Sequence, residues 1–201
     1  MRLPERPQWL EDAIQGLAFW IGHRRAMFRY HPLSEGALVA ELCNLIQVNL
    51  GDQECLHPEV PYSRITGGHL PGGIPTRARA DLVLLRGFRD EIPRADDLSD
   101  RAVAAVEVKR GTAGKALIDE DLRRLSLARS ANPNMRAFLV IASEARQPGR
   151  FVSNGKSRLG KTPVPNSPEW HYRVRRTCKA AASFSALKAQ HYVCMLEIFR
   201  D

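Results

Sequence analysis

The chain is poor in cysteine, poor in aromatics and short of acid. Its 201 residues include only four cysteines, Cys43, Cys55, Cys178 and Cys194, with no Cys-x2-Cys pair among them. That excludes a zinc knuckle and a disulfide scaffold, and it points to a reducing cytoplasm. Cys43 and Cys194 lie in apolar runs and read as buried thiols. Glu54, Cys55 and His57 read as neighbours on a strand edge rather than as metal ligands. The longest uncharged apolar stretch, Ala13 to Gly22, is too short to span a membrane, and Glu11 and Asp12 before it do not suit a signal peptide. Acids are in the minority: 22 Asp and Glu stand against 30 Lys and Arg, a formal net charge of +8. Collagen, bulk disorder and an acidic solubilising protein are thereby excluded, and an anionic partner is favoured. With 44% apolar and 26% charged residues, the chain has the composition of one soluble globular domain.

Periodicity predicts an α/β order. Residues 7–29 form a helix, with Trp9, Ala13, Ile14, Leu17, Ile21 and Phe28 near 3.6 spacing, and His31-Pro32 ends it. Ser34 caps a second helix running from Glu35 to about Asn49, striped by Leu38, Val39, Leu42, Leu45 and Ile46. A strand from Glu54 to Arg64 carries Pro58 and Pro61, so it is bent or at an edge. A glycine- and proline-rich loop follows, with His69, Arg77 and Arg79. Residues 79–86 and 102–109 are strands joined by an acidic connector over 88–100. A helix spans Asp119 to Ser130, with Leu122, Leu125 and Leu127 inward, and Phe138 to Ala142 is an apolar strand for a sheet centre. Residues 146–169, with four prolines and three glycines, read as an irregular loop. A strand over 171–176, a helix from Ala180 to Lys188 and a closing strand from Tyr192 to Phe199 complete the chain.

Side chains alternate across a strand, so Glu107 and Lys109 share one face while Val106 and Val108 share the other. If 79–86 pairs with 102–109 as a hairpin, Asp81 falls near Glu107, and two close carboxylates repel unless a cation relieves them. Mg2+ takes carboxylate and carbonyl oxygens and keeps waters, and there it would activate a water toward a phosphodiester. Lys109 would position that water or neutralise charge on the phosphorane. Glu35, at the first turn of its helix, projects along the apolar stripe toward the sheet, whereas Glu41 projects off its flank. Bland alternatives exist: Glu107 and Lys109 as the wet face of an edge strand, Asp81 as a strand-start residue, Glu35 as a charge on the helix dipole.

Glu35, Asp81 and Glu107-Val108-Lys109, in the order helix-strand-strand-strand-helix-strand, resemble the PD-(D/E)xK nuclease superfamily over residues 34 to about 142. The family proline is Ala80 here, and the interval from Asp81 to Glu107 is long. The resemblance implies a restriction endonuclease-like core, a central mixed sheet flanked by helices. Residues 1–33 would form a helical extension and 143–201 a basic tail packing on the core, within a single domain. It implies catalytic roles for Glu35, Asp81, Glu107 and Lys109, and a Mg2+ site (Mn2+ substituting) made of Asp81, Glu107 and the Val108 carbonyl. The expected activity is a metal-dependent DNA endonuclease. The substrate would be branched or site-specific DNA, with no membrane partner and a homodimer compatible with cutting both strands. Arg77, Arg79, Arg110, Lys115, Arg173 and Arg175 are the expected phosphate contacts. Trp170, His171 and Tyr172 are candidates for base stacking or for the core. A non-catalytic nucleic-acid-binding or assembly module on the same fold is the alternative.

Overall fold

In a computed structural model, residues 6–28, 32–68, 70–87, 98–144, 146–180 and 190–200 are described. Helix α1 (Gln8–Met27) and helix α2 (Glu35–Gln47) lead the chain. The Ser34 hydroxyl accepts the Ala37 N–H at 3.1 Å and so caps α2. Strand β1 (Glu54–Pro61) is followed by a helical turn α3 (Tyr62–Ile65), where the sequence suggested that the strand ran on to Arg64. Proline cannot donate to a ladder, and the chain bends where Pro61 ends the strand. Then come β2 (Arg79–Arg86), a turn α4 (Leu98–Arg101), β3 (Ala102–Arg110), α5 (Lys115–Ala131) and β4 (Arg136–Ser143). Helix α5 starts at Lys115 rather than Asp119, because Gly114 ends the preceding loop and Ile118 already faces the core. Leu127 is only half-buried; Ile118, Leu122, Leu125 and Ala128 form the inward stripe.

Residues 146–169 are not irregular throughout. They hold a small hairpin, β5 (Val152–Ser153) with β6 (Lys156–Ser157), and strand β7 (Thr162–Val164). The hairpin turns through Asn154 and Gly155, both at positive φ. Strand β8 (Ser167–Lys179) is twice the length read from its alternation, and β9 (Tyr192–Arg200) follows. The helix expected over 180–188, the acidic residues of the connector and His69 lie outside the described residues, apart from Ala180 and Asp100.

Among the described residues, seven of the nine strands order as β1-β2-β3-β4-β9-β8-β7, a mixed sheet in which only β3 and β4 run parallel. The tail is therefore part of the sheet: β9 lies between β4 and β8, and β1 is an edge as Pro58 and Pro61 require. Alternation gives each face its own core. Val106, Val108, Phe138 and Val140 meet the stripes of α1 and α2, while Ala105, Leu139, Ile141 and Leu196 meet α5 and α3. Strand β4 is buried along almost its whole length, as a strand covered on both faces must be. Trp170 and Tyr172 are buried in this core, which makes them packing groups rather than platforms for bases. Cys43 is half-buried, not fully buried, and Cys55, Cys178 and Cys194 are interior thiols.

Candidate active site

The antiparallel ladder between β2 and β3 pairs Leu82 with Val106, Val83 with Ala105 and Leu84 with Ala104. Asp81 and Glu107 follow on the same face, where the ladder gives out. There the Asp81 side chain replaces a backbone partner: its Oδ2 accepts the Val108 N–H at 2.7 Å. A residue in an antiparallel ladder turns both its backbone groups to the same neighbour, so the Val108 carbonyl faces the same side as that N–H.

Glu107 is 2% exposed and receives the Tyr62 hydroxyl at 2.5 Å on Oε1, with Arg124 3.6 Å away. Lys109 places its ammonium 2.5 Å from Glu35 Oε1 and 3.6 Å from Asp121 Oδ2. Arg124 closes the circle at 3.4 Å from Asp121 Oδ1. Glu35, Asp81, Glu107 and Lys109, drawn from α2, β2 and β3, thus meet in one neighbourhood, joined by Tyr62, Asp121 and Arg124. Glu35 is the helix acid that reaches Lys109.

Electrostatics reflect crowding. Burial, then the charges of Asp81 and Asp121, push the Glu107 carboxyl well above its usual range, against the Tyr62 hydrogen bond and Arg124. Asp81 is also raised, by burial, although the Val108 N–H, a hydrogen bond with Glu107 and the Lys109 charge pull the other way. Asp121 is pushed up to about 6, again by burial, with Lys109 and Arg124 opposing. Burial would lower Lys109, but its hydrogen bond to Glu35 and the charge of Asp121 outweigh that and raise it. Tyr62 is held well above the usual phenol range by burial and by Glu107.

Among the described residues, no three His, Cys, Asp or Glu side chains group closely enough to hold a metal ion. The donor set is instead a pair, Asp81 and Glu107, close enough that the charge of Asp81 pushes the Glu107 carboxyl up. Mg2+ ordinarily takes only one or two carboxylates and keeps its waters, so a pair with an adjacent carbonyl suits it.

Arg77, Arg79, Arg110 and Lys115 flank the end of the sheet where β2 begins and β3 finishes. Arg77, Arg79 and Lys115 are exposed; Arg110 is half-buried, 3.8 Å from Glu144. Arg173 and Arg175 are elsewhere. They stand on β8, three strands from β3 in the sheet order, and turn to the buried Glu197 at 3.1 and 3.5 Å.

Sequence reasoning missed Tyr62, Asp121 and Arg124. Asp121 had a signal: it falls three residues after Ile118 and one before Leu122, a carboxylate inside the apolar stripe of α5. Arg124, one turn on, follows from it. Tyr62 had none, since only the folded chain carries α3 to β3.

No family model matches the chain, and neither a curated protein nor a solved structure matches it. Among the described residues, no helix is long and apolar enough to cross a membrane.

Proposed function

We propose that the chain is a Mg2+-dependent DNA endonuclease with a restriction endonuclease-like core. The observation that carries this is the meeting of Asp81 with Glu107 at the open end of the β2–β3 ladder, with the Lys109 ammonium beside them. The order α2-β1-β2-β3-α5-β4 and the parallel β3–β4 pair support it.

Asp81, Glu107 and the Val108 carbonyl would hold the ion. Bound there, Mg2+ supplies charge neutralisation at the scissile phosphate and a more acidic water. Lys109 contributes a fixed positive charge to the same space, aimed by Glu35 and Asp121, and stabilises the charge that develops on the phosphorane. Arg77, Arg79, Arg110 and Lys115 supply phosphate contacts around it. Four free cysteines accord with a cytoplasmic protein.

A second reading, a nucleic-acid-binding module without turnover, is favoured by one feature: Glu107 Oε1 is already engaged by Tyr62 and Arg124. Incubation of the purified protein with a panel of duplex, branched and single-stranded DNA separates the two. The nuclease reading expects cleavage with Mg2+ or Mn2+ and loss of cleavage in Asp81→Ala and Lys109→Ala proteins that remain folded. Salt-sensitive binding with no turnover in either metal establishes the module instead. Cleavage at full rate by both variants overturns the assigned residues.

A further inference from the structure

An exposed leucine stands between two basic grooves beside β8. The chain turns at Arg158-Leu159-Gly160-Lys161, where Gly160 has φ +94°, and Leu159 is left 97% exposed. A single exposed apolar side chain is ordinary. The setting of this one is not, because Leu159 and Gly160 line both grooves.

The groove on one side, of about 380 Å³, is lined by Arg150, Arg158 and Arg173 and by the hydroxyls of Ser153, Ser157 and Thr162. No carboxylate lines it among the described residues. The groove on the other side, of about 770 Å³, carries Arg6, Lys161, Arg173, Arg175 and Arg176 against one carboxylate, Glu11. Glu197 is shared by Arg136, Arg173 and Arg175, while Arg150 pairs with Asp119 at 2.5 Å and Arg176 with Glu11 at 3.1 Å, so basic groups outnumber the acids that line the two grooves.

Basic and hydroxyl side chains of this kind hold phosphates. A small apolar side chain projecting between them suits the bases that lie between two backbones, and a leucine of this sort unstacks a base step when it enters one. A single strand offers one backbone; two flanking grooves match a duplex. We propose that Leu159 is a wedge that enters the base stack of duplex DNA, with the Arg158 side and the Lys161 side each holding one backbone. The inference rests on DNA as the partner in the proposed function, not on hydrolysis. Strands β4 and β9 lie between β3 and β8, so the wedge stands on a different part of the molecule from the Glu107 strand.

The test is binding of a fluorescein-labelled duplex in EDTA at several salt concentrations, together with a 2-aminopurine duplex whose fluorescence rises on unstacking. Wild type should bind and raise the signal. Leu159→Ser should lose the rise and bind about tenfold more weakly, whereas Leu159→Met should keep both. Lys161→Glu should weaken binding at least about tenfold and reduce the salt slope by about one or more. Wild-type binding without a 2-aminopurine rise overturns the wedge, as does a Leu159→Ser protein that unstacks like wild type. Leu159-dependent binding to phosphatidylserine vesicles or to duplex RNA in preference to duplex DNA also overturns it. The nuclease reading is judged apart. A protein that unstacks DNA through Leu159 but never cleaves keeps the wedge and loses the nuclease; one that cleaves with Leu159→Ser unchanged in every binding readout does the reverse.

Discussion

The Tyr62 hydroxyl donates a 2.5 Å hydrogen bond to Glu107 Oε1 across forty-five residues of chain, and both groups are buried. A helical turn that follows an edge strand thereby holds the carboxylate at the centre of the candidate site. Removal of one partner leaves a buried oxygen short of a donor, which costs about 1–3 kcal/mol. Tyr62→Phe should lower the unfolding free energy by that amount in urea at neutral pH. It should also raise the Glu107 carboxyl further, because the hydrogen bond is one of the two interactions that hold it down.

Asp81 and Glu107 repel when both are ionised and no cation is present. Asp81→Asn keeps an oxygen for the Val108 N–H and removes one of the charges, so in EDTA this variant should unfold at or above the wild-type temperature. Added Mg2+ or Mn2+ should reverse the order. Wild type gains stability as RT ln(1 + [L]/Kd), about 2.7 kcal/mol at a hundredfold excess over Kd, and the variant gains little. Thermal unfolding of both proteins across a metal titration reads this out; equal metal-induced shifts in the two would show that the cation binds elsewhere.

Much of the fold was legible because its signals are local. The Ser34 cap, the stripe of α2, the alternation of β3 and the unbroken apolar run of β4 each depend on neighbours in sequence, and each element stands where those signals put it. In the candidate site, alternation puts Asp81 and Glu107 on one face only once 79–86 pairs with 102–109, and that pairing, antiparallel between β2 and β3, is a contact between distant segments of the chain. What failed was non-local. Strand β7 gains its hydrogen bonds from β8, and β8 from β9, and prolines that signal a loop in isolation sit comfortably at the β7 edge, while β5 and β6 pair with each other across the Asn154-Gly155 turn. Arg173 and Arg175 group with the other basic residues by charge alone, whereas in the fold Arg173 lies opposite Glu197 in the β8–β9 ladder and Arg175, at the bulge between Val174 and Arg176, reaches the same carboxylate.

Asp121 should give the protein an acid-side gain in stability. Its carboxyl sits at about 6 in the folded chain, raised from 3.8 by burial. Between those values the native state holds a proton that the unfolded chain has released, so stability falls as pH rises from about 4 to about 6, by about 3 kcal/mol at most. In Asp121→Asn that contribution disappears. Chemical denaturation in EDTA at pH 4 and pH 8 should show the variant gaining on wild type at the higher pH; a difference that does not change with pH would remove Asp121 from the titrating groups.

Glu197 should behave in the opposite sense. Burial alone would raise its carboxyl, but hydrogen bonds and charge from Arg136, Arg173 and Arg175 outweigh burial and hold it below the usual range. Its contribution is therefore full above the unfolded value of 4.5 and is lost as pH falls through the lower folded value. Glu197→Ala leaves three guanidinium groups around a buried gap and should cost about 3–5 kcal/mol, the range for breaking a buried ion pair from one side. Because the groove arginines then lose their internal counter-charge, the same variant should bind DNA no more weakly than wild type at temperatures where it stays folded. Weakened binding by a folded Glu197→Ala protein would mean that the glutamate serves to aim those arginines, and paired unfolding and anisotropy measurements distinguish the two cases.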